Sequence, residues 1–266
     1  MEAPGYHACD VPAYISALSD EGERLADAAQ RAGLRAGVPA CPGWSVSDLL
    51  RHTSYVHRWA AGIVADRITH PMDELAEEQV LQQGPEDKRL LGWFREGHGA
   101  LVRTLGEADP DLDCWAFLSA PSPLAFWARR QAHETAIHRV DAEQAAATPG
   151  QADSQLEPAF AADGVDELLM GFLARNIRRG SWPGLGGNLA IHAEDGPGAR
   201  AHWLVTGRRG EARVARGTGP ADCDVTGRAR DLYLLLWNRG PADGLRVTGD
   251  PGVLATLGRT HHITWT

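Results

Sequence analysis

The chain has 266 residues, 43% of them hydrophobic, and a formal net charge of -9. This length and composition are sufficient to bury the core of one large domain or of two smaller ones. The acidic balance argues against a nucleic-acid surface, which draws on clustered Lys and Arg, and no apolar run approaches the roughly 18 residues of a membrane helix. We therefore expect a globular protein that binds neither nucleic acid nor a membrane.

The cysteines and the N-terminus indicate a reducing compartment. Cys9, Cys41, Cys114 and Cys223 are widely spaced and form no C-x-x-C pair, unlike the dense frameworks of small secreted domains. The first residues, MEAPGYHACD, lack the basic and apolar regions of a signal peptide. We therefore expect a cytoplasmic protein with reduced thiols, and the sequence leaves a monomer and a homodimer equally open.

Residues 1–150 are predicted to form a bundle of four helices. Apolar residues at helical spacing favour helices over residues 11–35, 45–67, 86–106 and 124–147. Ser45 is the expected N-cap of the second helix, and Asp48, three residues later, completes an acidic variant of the capping box. Four such helices joined by loops indicate a four-helix bundle.

Residues 158–266 are predicted to form a second domain, after the apolar-poor linker TPGQADSQLEP. A helix is expected from about Pro158 to Ile177. Five short runs suited to strands follow, namely NLAIHAE, AHWLVTG, EARVARG, DCDVTG and LRVTGD, with RARDLYLLLWNR and PGVLATLG as short helices. We expect a small α/β domain with a mainly antiparallel sheet and helices on one face, so that the whole chain is α+β.

One segment of the fourth helix, HETAIH, has the residue types of a metal site. Glu134 and His138 are four residues apart and therefore differ by roughly 40° around the helix axis, so that they share a face. The segment is not the H-E-x-x-H motif of zinc proteases, because His133 and His138 lie about 140° apart and cannot both bind one ion. Glu134 would therefore be a metal ligand itself.

The second helix offers the third donor. His52 lies on the apolar side of this helix, whereas His57, five residues later, lies on a different face and is the weaker candidate, in a supporting or surface role. Two histidines and one carboxylate would leave a coordination position open, as in catalytic zinc sites. The alternative is that these side chains are hydrogen-bonded core or surface residues. Trp44 and Trp59 flank the site, and we expect them in the hydrophobic core.

Three segments resemble the mycothiol-dependent maleylpyruvate isomerase family. They are VPACPGWSVSDLLRHTSYVHRWA, WARRQAHETAIHRVDAE and VTGRARDLYLLLWNRGPADGLRVTGD, and the resemblance extends over nearly the whole chain. It implies a DinB-like four-helix bundle that binds zinc, although another divalent metal is compatible, and a small α/β domain that closes over the site. The metal ligands of the family map onto His52, Glu134 and His138.

The resemblance also implies a mechanism with mycothiol as cosubstrate. Zinc would lower the pKa of the mycothiol thiol, and the thiolate would add to a cis double bond, which becomes a single bond that can rotate. Expulsion of the thiol would leave the trans isomer. An arginine of the second domain would hold substrate carboxylates by charge-assisted hydrogen bonds. Arg239 is the first candidate for this role and Arg228 the second, with an ordinary surface position as the alternative for each.

Three functions remain open at this stage. The chain would be an enzyme that isomerises a maleylpyruvate-like substrate, or a mycothiol S-transferase acting on an epoxide or another activated intermediate. The third reading is a non-catalytic protein that binds a metal or a ligand. The first two share a small-molecule thiol and an electrophilic substrate as partners.

Overall fold

The computed structural model describes residues 9–72, 77–148, 154–195, 200–207 and 212–261. Among these residues there are two compact units, one made of residues 10–154 and one made of Cys9 together with the described residues from Gln155 onward. The first unit is entirely helical, and the second contains a sheet and helices. In the described part of the chain, no helix is long and apolar enough to cross a membrane.

The helical unit contains the four long helices predicted from the sequence. They are α1 (Val11–Ala32), α2 (Val46–Ala65), α4 (Asp87–Glu107) and α5 (Pro123–Ala146), and the short α3 (Glu77–Leu81) was not predicted. Helix α1 packs mainly against α5 and α4, and α2 packs against α4 and α5. The expected four-helix bundle is therefore confirmed.

The start of α2 is fixed by its own first residues. The Ser45 backbone N–H donates to Asp48 Oδ2 at 2.9 Å, and the Ser45 side chain accepts from the Asp48 backbone N–H. Both halves of the capping box are thus present, as predicted, and they satisfy backbone donors that have no partner inside the helix. The capping box therefore fixes where α2 begins, and its Ser45 lies seven residues before the candidate ligand His52.

Helix α5 is buried on most of its surface. Its apolar residues Phe126, Trp127 and Val140 belong to the core, and its polar residues Thr135 and Arg139 are equally buried. Buried polar groups must find partners inside the protein, because they no longer contact water. The bundle interior therefore includes a polar layer along α5, and this layer contains the candidate site.

The second unit begins with a helical segment that is less regular than predicted. Helix α6 (Pro158–Asp166) continues into a π-helical stretch (Glu167–Leu173) and then into α7 (Ala174–Arg178). Hydrogen bonds to the fifth residue widen the turn of this stretch, and Leu168, Leu169 and Leu173 are all buried there. The sequence predicted one regular helix, because apolar spacing alone does not distinguish the two helical forms.

The sheet of the second unit has five strands in the order β3-β2-β1-β4-β5. The strands are β1 (Asn188–Glu194), β2 (Arg200–Thr206), β3 (Arg213–Arg216), β4 (Cys223–Gly227) and β5 (Arg246–Gly249). Three of the pairings are antiparallel, and β1 pairs with β4 in parallel. The mainly antiparallel sheet is confirmed, but the parallel pair was not foreseen, because strand patterns do not indicate which strands become neighbours.

Helices α8 (Ala229–Leu236) and α9 (Pro251–Thr260) complete the second unit and pack against β1 and β4. The helical segment at its start is tied to the sheet by Asp166, whose side chain is fully buried. This carboxylate accepts from Trp203 Nε1 at 2.9 Å and from two nitrogens of Arg216 at 2.7 Å each. A bidentate ion pair between arginine and carboxylate fixes the relative orientation of the two side chains and also balances their charges.

Candidate metal centre

The three predicted ligands meet inside the helical bundle. His52 comes from α2, and Glu134 and His138 come from α5, which packs against α2. One ligand atom from each residue lies within 4.8 Å of the other two, and these three are the group of potential metal ligands found in the described part of the chain. We refer to His52, Glu134 and His138 as the His–Glu–His cluster.

The distances within the cluster are close to those that a small ion requires. Glu134 Oε1 lies 3.2 Å from His52 Nε2 and 3.1 Å from His138 Nε2. Around a tetrahedral zinc ion with bonds of about 2.0–2.1 Å, neighbouring ligand atoms are about 3.3 Å apart. Two imidazole nitrogens and a carboxylate oxygen are ligand types that zinc accepts. The donor set therefore fits a divalent transition metal.

The cluster is buried but not sealed. The side chains of His52, Glu134 and His138 are 3%, 18% and 9% exposed. Glu134 is therefore the most exposed of the three side chains. A catalytic metal site must be reachable by its substrate, which has to enter the coordination sphere.

Asp141 orients the ring of His138. Its carboxylate is fully buried, and Oδ2 lies 2.9 Å from His138 Nδ1. Because a carboxylate only accepts, Nδ1 must donate, and the other ring nitrogen, Nε2, faces Glu134. A carboxylate behind a histidine in this way is the usual support of a metal-binding imidazole.

Arg130 contacts the opposite side of the Glu134 carboxylate. Its Nη2 donates to Glu134 Oε2 at 2.9 Å, and the Arg130 side chain is only 4% exposed. The two oxygens of Glu134 therefore have different partners: Oε2 binds the guanidinium and Oε1 faces the two histidines.

The three cluster residues differ in their protonation. Burial alone would lower the pKa of His138, but hydrogen bonds to Asp141 and Glu134 outweigh it and raise the pKa to about 9. Burial alone would raise the pKa of Glu134, but hydrogen bonds from His138 and His52 hold it well below its usual value. Burial lowers the pKa of His52, so that its imidazole is neutral near pH 7. In the metal-free protein a proton thus joins His138 to Glu134, and a divalent ion would replace it.

The other histidines of these two helices lie outside the cluster. His57 is completely buried, which rules out the surface role considered for it, and its Nε2 lies 2.9 Å from Thr135 Oγ1. Burial, followed by the nearby His98, lowers the pKa of His57 well below its usual value. His133 is also buried and packs edge-on against Tyr14. The prediction that His133 does not join His138 at one site agrees with this arrangement.

Trp44 lies closer to the cluster than the sequence suggested. Its ring centroid is 5.0 Å from that of His52, and its side chain is only partly buried. We expected a core position, and Trp44 does pack against the core, but it also forms one wall beside His52. Trp59 contacts Trp115 and Trp127 instead, with ring centroids 5.9 Å and 5.2 Å away.

Sequence reasoning missed Asp141 and Arg130. Asp141 is three residues after His138, and Arg130 is four residues before Glu134, so both spacings place the residue beside its ligand on one helix face. The spacing could have identified both as candidates. It could not have shown that they are buried, which is what makes their contacts significant.

The two candidate substrate arginines belong to the second unit. Arg239 follows α8, is partly buried, and donates from Nη1 to the backbone oxygen of Trp237 at 2.8 Å. Arg228 is exposed and immediately precedes α8, without a side-chain capping bond. A substrate-binding role for either residue stays a prediction.

Two family models match the chain. One is described as the mycothiol maleylpyruvate isomerase N-terminal domain and matches residues 15–143. The other is described as the MDMPI C-terminal domain and matches residues 159–256. Each model falls within one of the two compact units.

Solved structures share the fold. The crystal structure of the mycothiol-dependent maleylpyruvate isomerase is 14% identical, covers 91% of this chain and 95% of its own chain, and has a TM-score of 0.63. The structure of a histidine-to-alanine mutant of that isomerase has the same identity and coverage and a TM-score of 0.61. No match was found among curated proteins. At this identity the structural likeness establishes the fold alone.

The fold and the site together define a class of protein: a helical bundle that contains a His–Glu–His cluster, followed by a small unit with a five-stranded sheet. The chain belongs to the mycothiol-dependent maleylpyruvate isomerase family, a family of enzymes, because the two family models together match most of its length. The resemblance inferred from the sequence segments is thereby confirmed.

Proposed function

We propose that the protein binds one divalent metal ion, preferably zinc, at the His–Glu–His cluster and uses mycothiol to isomerise a maleylpyruvate-like substrate from cis to trans. The observation that carries this proposal is the convergence of the three ligand atoms within 4.8 Å inside the bundle. Membership of the family adds the thiol and the substrate class. The geometry of the cluster and the family membership are independent arguments for the proposal.

The residues of the chain have separate tasks in this mechanism. His52 and His138 would each provide Nε2 and Glu134 would provide Oε1, which leaves a coordination position for a thiol. A bound divalent ion lowers the pKa of a thiol at that position, so that the thiolate is available near neutral pH. Trp44 limits the space beside His52. Arg239 is our candidate to bind a substrate carboxylate by charge-assisted hydrogen bonds.

The isomerisation leaves the thiol unchanged overall. The thiolate adds to one carbon of the cis double bond, and the electron pair of that bond moves toward the conjugated carbonyl group. The remaining carbon–carbon single bond rotates. The electron pair then returns, the carbon–sulfur bond breaks, and the trans isomer and the thiolate are released. We place this reaction in the cytoplasm, since a free thiol cosubstrate needs a reducing compartment and none of the four cysteines forms a disulfide.

The test is turnover with and without the thiol. Zinc-loaded protein is incubated with maleylpyruvate, with and without mycothiol, and the products are separated by chromatography. We expect the trans isomer only when mycothiol is present, and no isomer with His138→Ala. Full turnover without a thiol would contradict the proposal and favour attack by metal-bound water.

Two other outcomes would favour the alternative functions. A stable mycothiol adduct that accumulates with an epoxide, without isomerisation of maleylpyruvate, would indicate an S-transferase. Metal binding without turnover of any electrophile tested would indicate a binding protein.

A further inference from the structure

Two buried residues of opposite charge contact the metal-ligand candidates of α5 from outside the cluster. Asp141 is completely buried and Arg130 is 3% exposed. Burying a charge is costly unless it has a close partner. Each of these residues finds that partner in a member of the His–Glu–His cluster, His138 for Asp141 and Glu134 for Arg130.

Asp141 determines which nitrogen of His138 faces the cluster. The contact of 2.9 Å to Nδ1 fixes both the orientation of the ring and the position of its proton. Without this acceptor the ring could rotate, or keep its remaining proton on Nε2, and either change would deny an arriving ion its lone pair. Asp141 therefore holds the ring with Nε2 toward the cluster, so that the proton displaced by an ion comes from Nε2.

Arg130 determines how Glu134 can bind an ion. It engages Oε2 at 2.9 Å, while Oε1 lies 3.2 Å from His52 Nε2 and 3.1 Å from His138 Nε2. A carboxylate held at one oxygen in this way binds a metal through the other oxygen only. The second oxygen would otherwise occupy the coordination position that a thiol needs.

The two residues also set the charge of the site. The carboxylates of Glu134 and Asp141 together would balance the charge of a divalent ion. With the guanidinium of Arg130 included, the site would carry one net positive charge. A thiolate would neutralise that charge, whereas a neutral thiol would not. In a buried site this difference favours binding of the thiolate form.

We propose that Asp141 and Arg130 are positioning residues that present His138 through Nε2 and Glu134 through Oε1 alone, and thereby reserve one coordination position for a thiolate. This inference rests on the proposed metal site, and it predicts the coordination geometry and the thiol affinity of that site.

The test uses cobalt(II) in place of zinc, because the visible spectrum of cobalt reports the number of its ligands. The full-length protein is compared with Asp141→Asn, Arg130→Met and Arg130→Lys. Cobalt affinity is measured by competition with a chelator, and mycothiol binding is followed by the charge-transfer band of the cobalt–thiolate bond. Glu21→Gln serves as the control, since Glu21 is a buried carboxylate of the same bundle that pairs with Arg139 and Arg24, both outside the cluster.

We expect Asp141→Asn to weaken cobalt binding by roughly 10- to 100-fold. Arg130→Met should retain cobalt but lose the intense bands of four-coordinate cobalt, as Glu134 becomes free to bind through both oxygens, and it should bind mycothiol at least about tenfold more weakly. Arg130→Lys should recover part of the thiol affinity, because it restores the charge. Glu21→Gln should lower the midpoint of thermal unfolding without changing the spectrum.

Unchanged spectra and affinities in both Asp141→Asn and Arg130→Met would overturn the inference while leaving the metal site in place. A loss of cobalt in Glu21→Gln equal to that in Asp141→Asn would also overturn it, because the effect would then be one of general stability. Failure of the unsubstituted protein to bind cobalt would remove both this inference and the proposed function.

Discussion

At the scale of single residues, the buried histidines of the helical unit differ by what their ring nitrogens contact. His52 and His138 share Oε1 of Glu134, whereas His57 contacts Thr135 Oγ1 and His98 contacts the backbone oxygen of Leu18. The proposed metal ion would bind between the first two. The other two keep hydrogen bonds that a metal would not replace, so they serve the structure of the bundle.

The setting of His57 predicts a loss of stability in acid. Thr135 Oγ1 donates to the backbone oxygen of Gln131 at 2.7 Å, so His57 Nε2 must donate to Thr135. No group in the described part of the chain accepts a hydrogen bond from His57 Nδ1. Burial lowers the pKa of His57 well below 6.5. Below pH 6.5 the unfolded chain therefore binds a proton that the folded chain does not, and the free energy of unfolding decreases.

The measurement is urea unfolding of metal-free protein at pH 7 and pH 5. His57→Gln is the matched variant, because an amide N–H can still donate to Thr135 without titrating. Between the two pH values the native sequence should lose roughly 1–2 kcal/mol more than His57→Gln. The same loss in both proteins would show that His57 does not contribute to the acid sensitivity.

The sequence identified the three candidate ligands but not the residues that contact them from behind. The four-residue spacing of Glu134 and His138, together with the family resemblance, was sufficient to choose the three cluster residues that the structure brings together. Asp141 and Arg130 escaped notice, because charged residues beside a ligand on a helix usually face solvent. Only the packing around α5 shows that both are buried.

At the scale of elements, one glycine allows α1 and α4 to pack closely. A Cβ atom at Gly22 in α1 would lie 2.1 Å from His98 Nε2 of α4. The His98 ring cannot move away easily, since it donates to Leu18 O at 3.0 Å and stacks on Phe94. The contact between the two helices therefore depends on the absence of a side chain at this position.

The same substitution should have opposite effects at two glycines. Gly22→Ala should lower the free energy of unfolding by about 1–3 kcal/mol through overpacking. Gly92 lies in the exposed part of α4, and a Cβ there meets nothing within 4 Å. Gly92→Ala should therefore raise the free energy of unfolding by about 0.5–1 kcal/mol through helix propensity. Urea unfolding of both variants measures the difference, and a stabilised Gly22→Ala would contradict the packing described for His98.

The elements themselves were predicted well where a pattern was local. The four long helices and the five strands appear within a few residues of their expected positions, and the Ser45 capping box is present. The π-helical stretch Glu167–Leu173 and the parallel pairing of β1 with β4 were not predicted. The parallel pairing joins segments distant in sequence, and apolar periodicity does not distinguish a π-helix from an α-helix.

At the scale of the whole molecule, the metal-ligand candidates and their supports belong to one unit. His52 lies on α2, and Glu134, His138, Asp141 and Arg130 all lie on α5. Metal binding should therefore depend on the helical unit. The proposed role of Arg239 would assign substrate binding to the second unit, so that the two properties are expected to respond to different substitutions.

The metal content of the purified protein tests the central claim most directly. The native sequence and the variants His138→Ala, Glu134→Gln and His57→Ala are purified without chelator. The metal content per chain of each is measured by elemental mass spectrometry. The account predicts about one zinc or other divalent ion per chain in the native sequence and in His57→Ala, and the loss of most of it in the other two variants. Equal retention of the metal in all three variants would contradict the assignment of the His–Glu–His cluster.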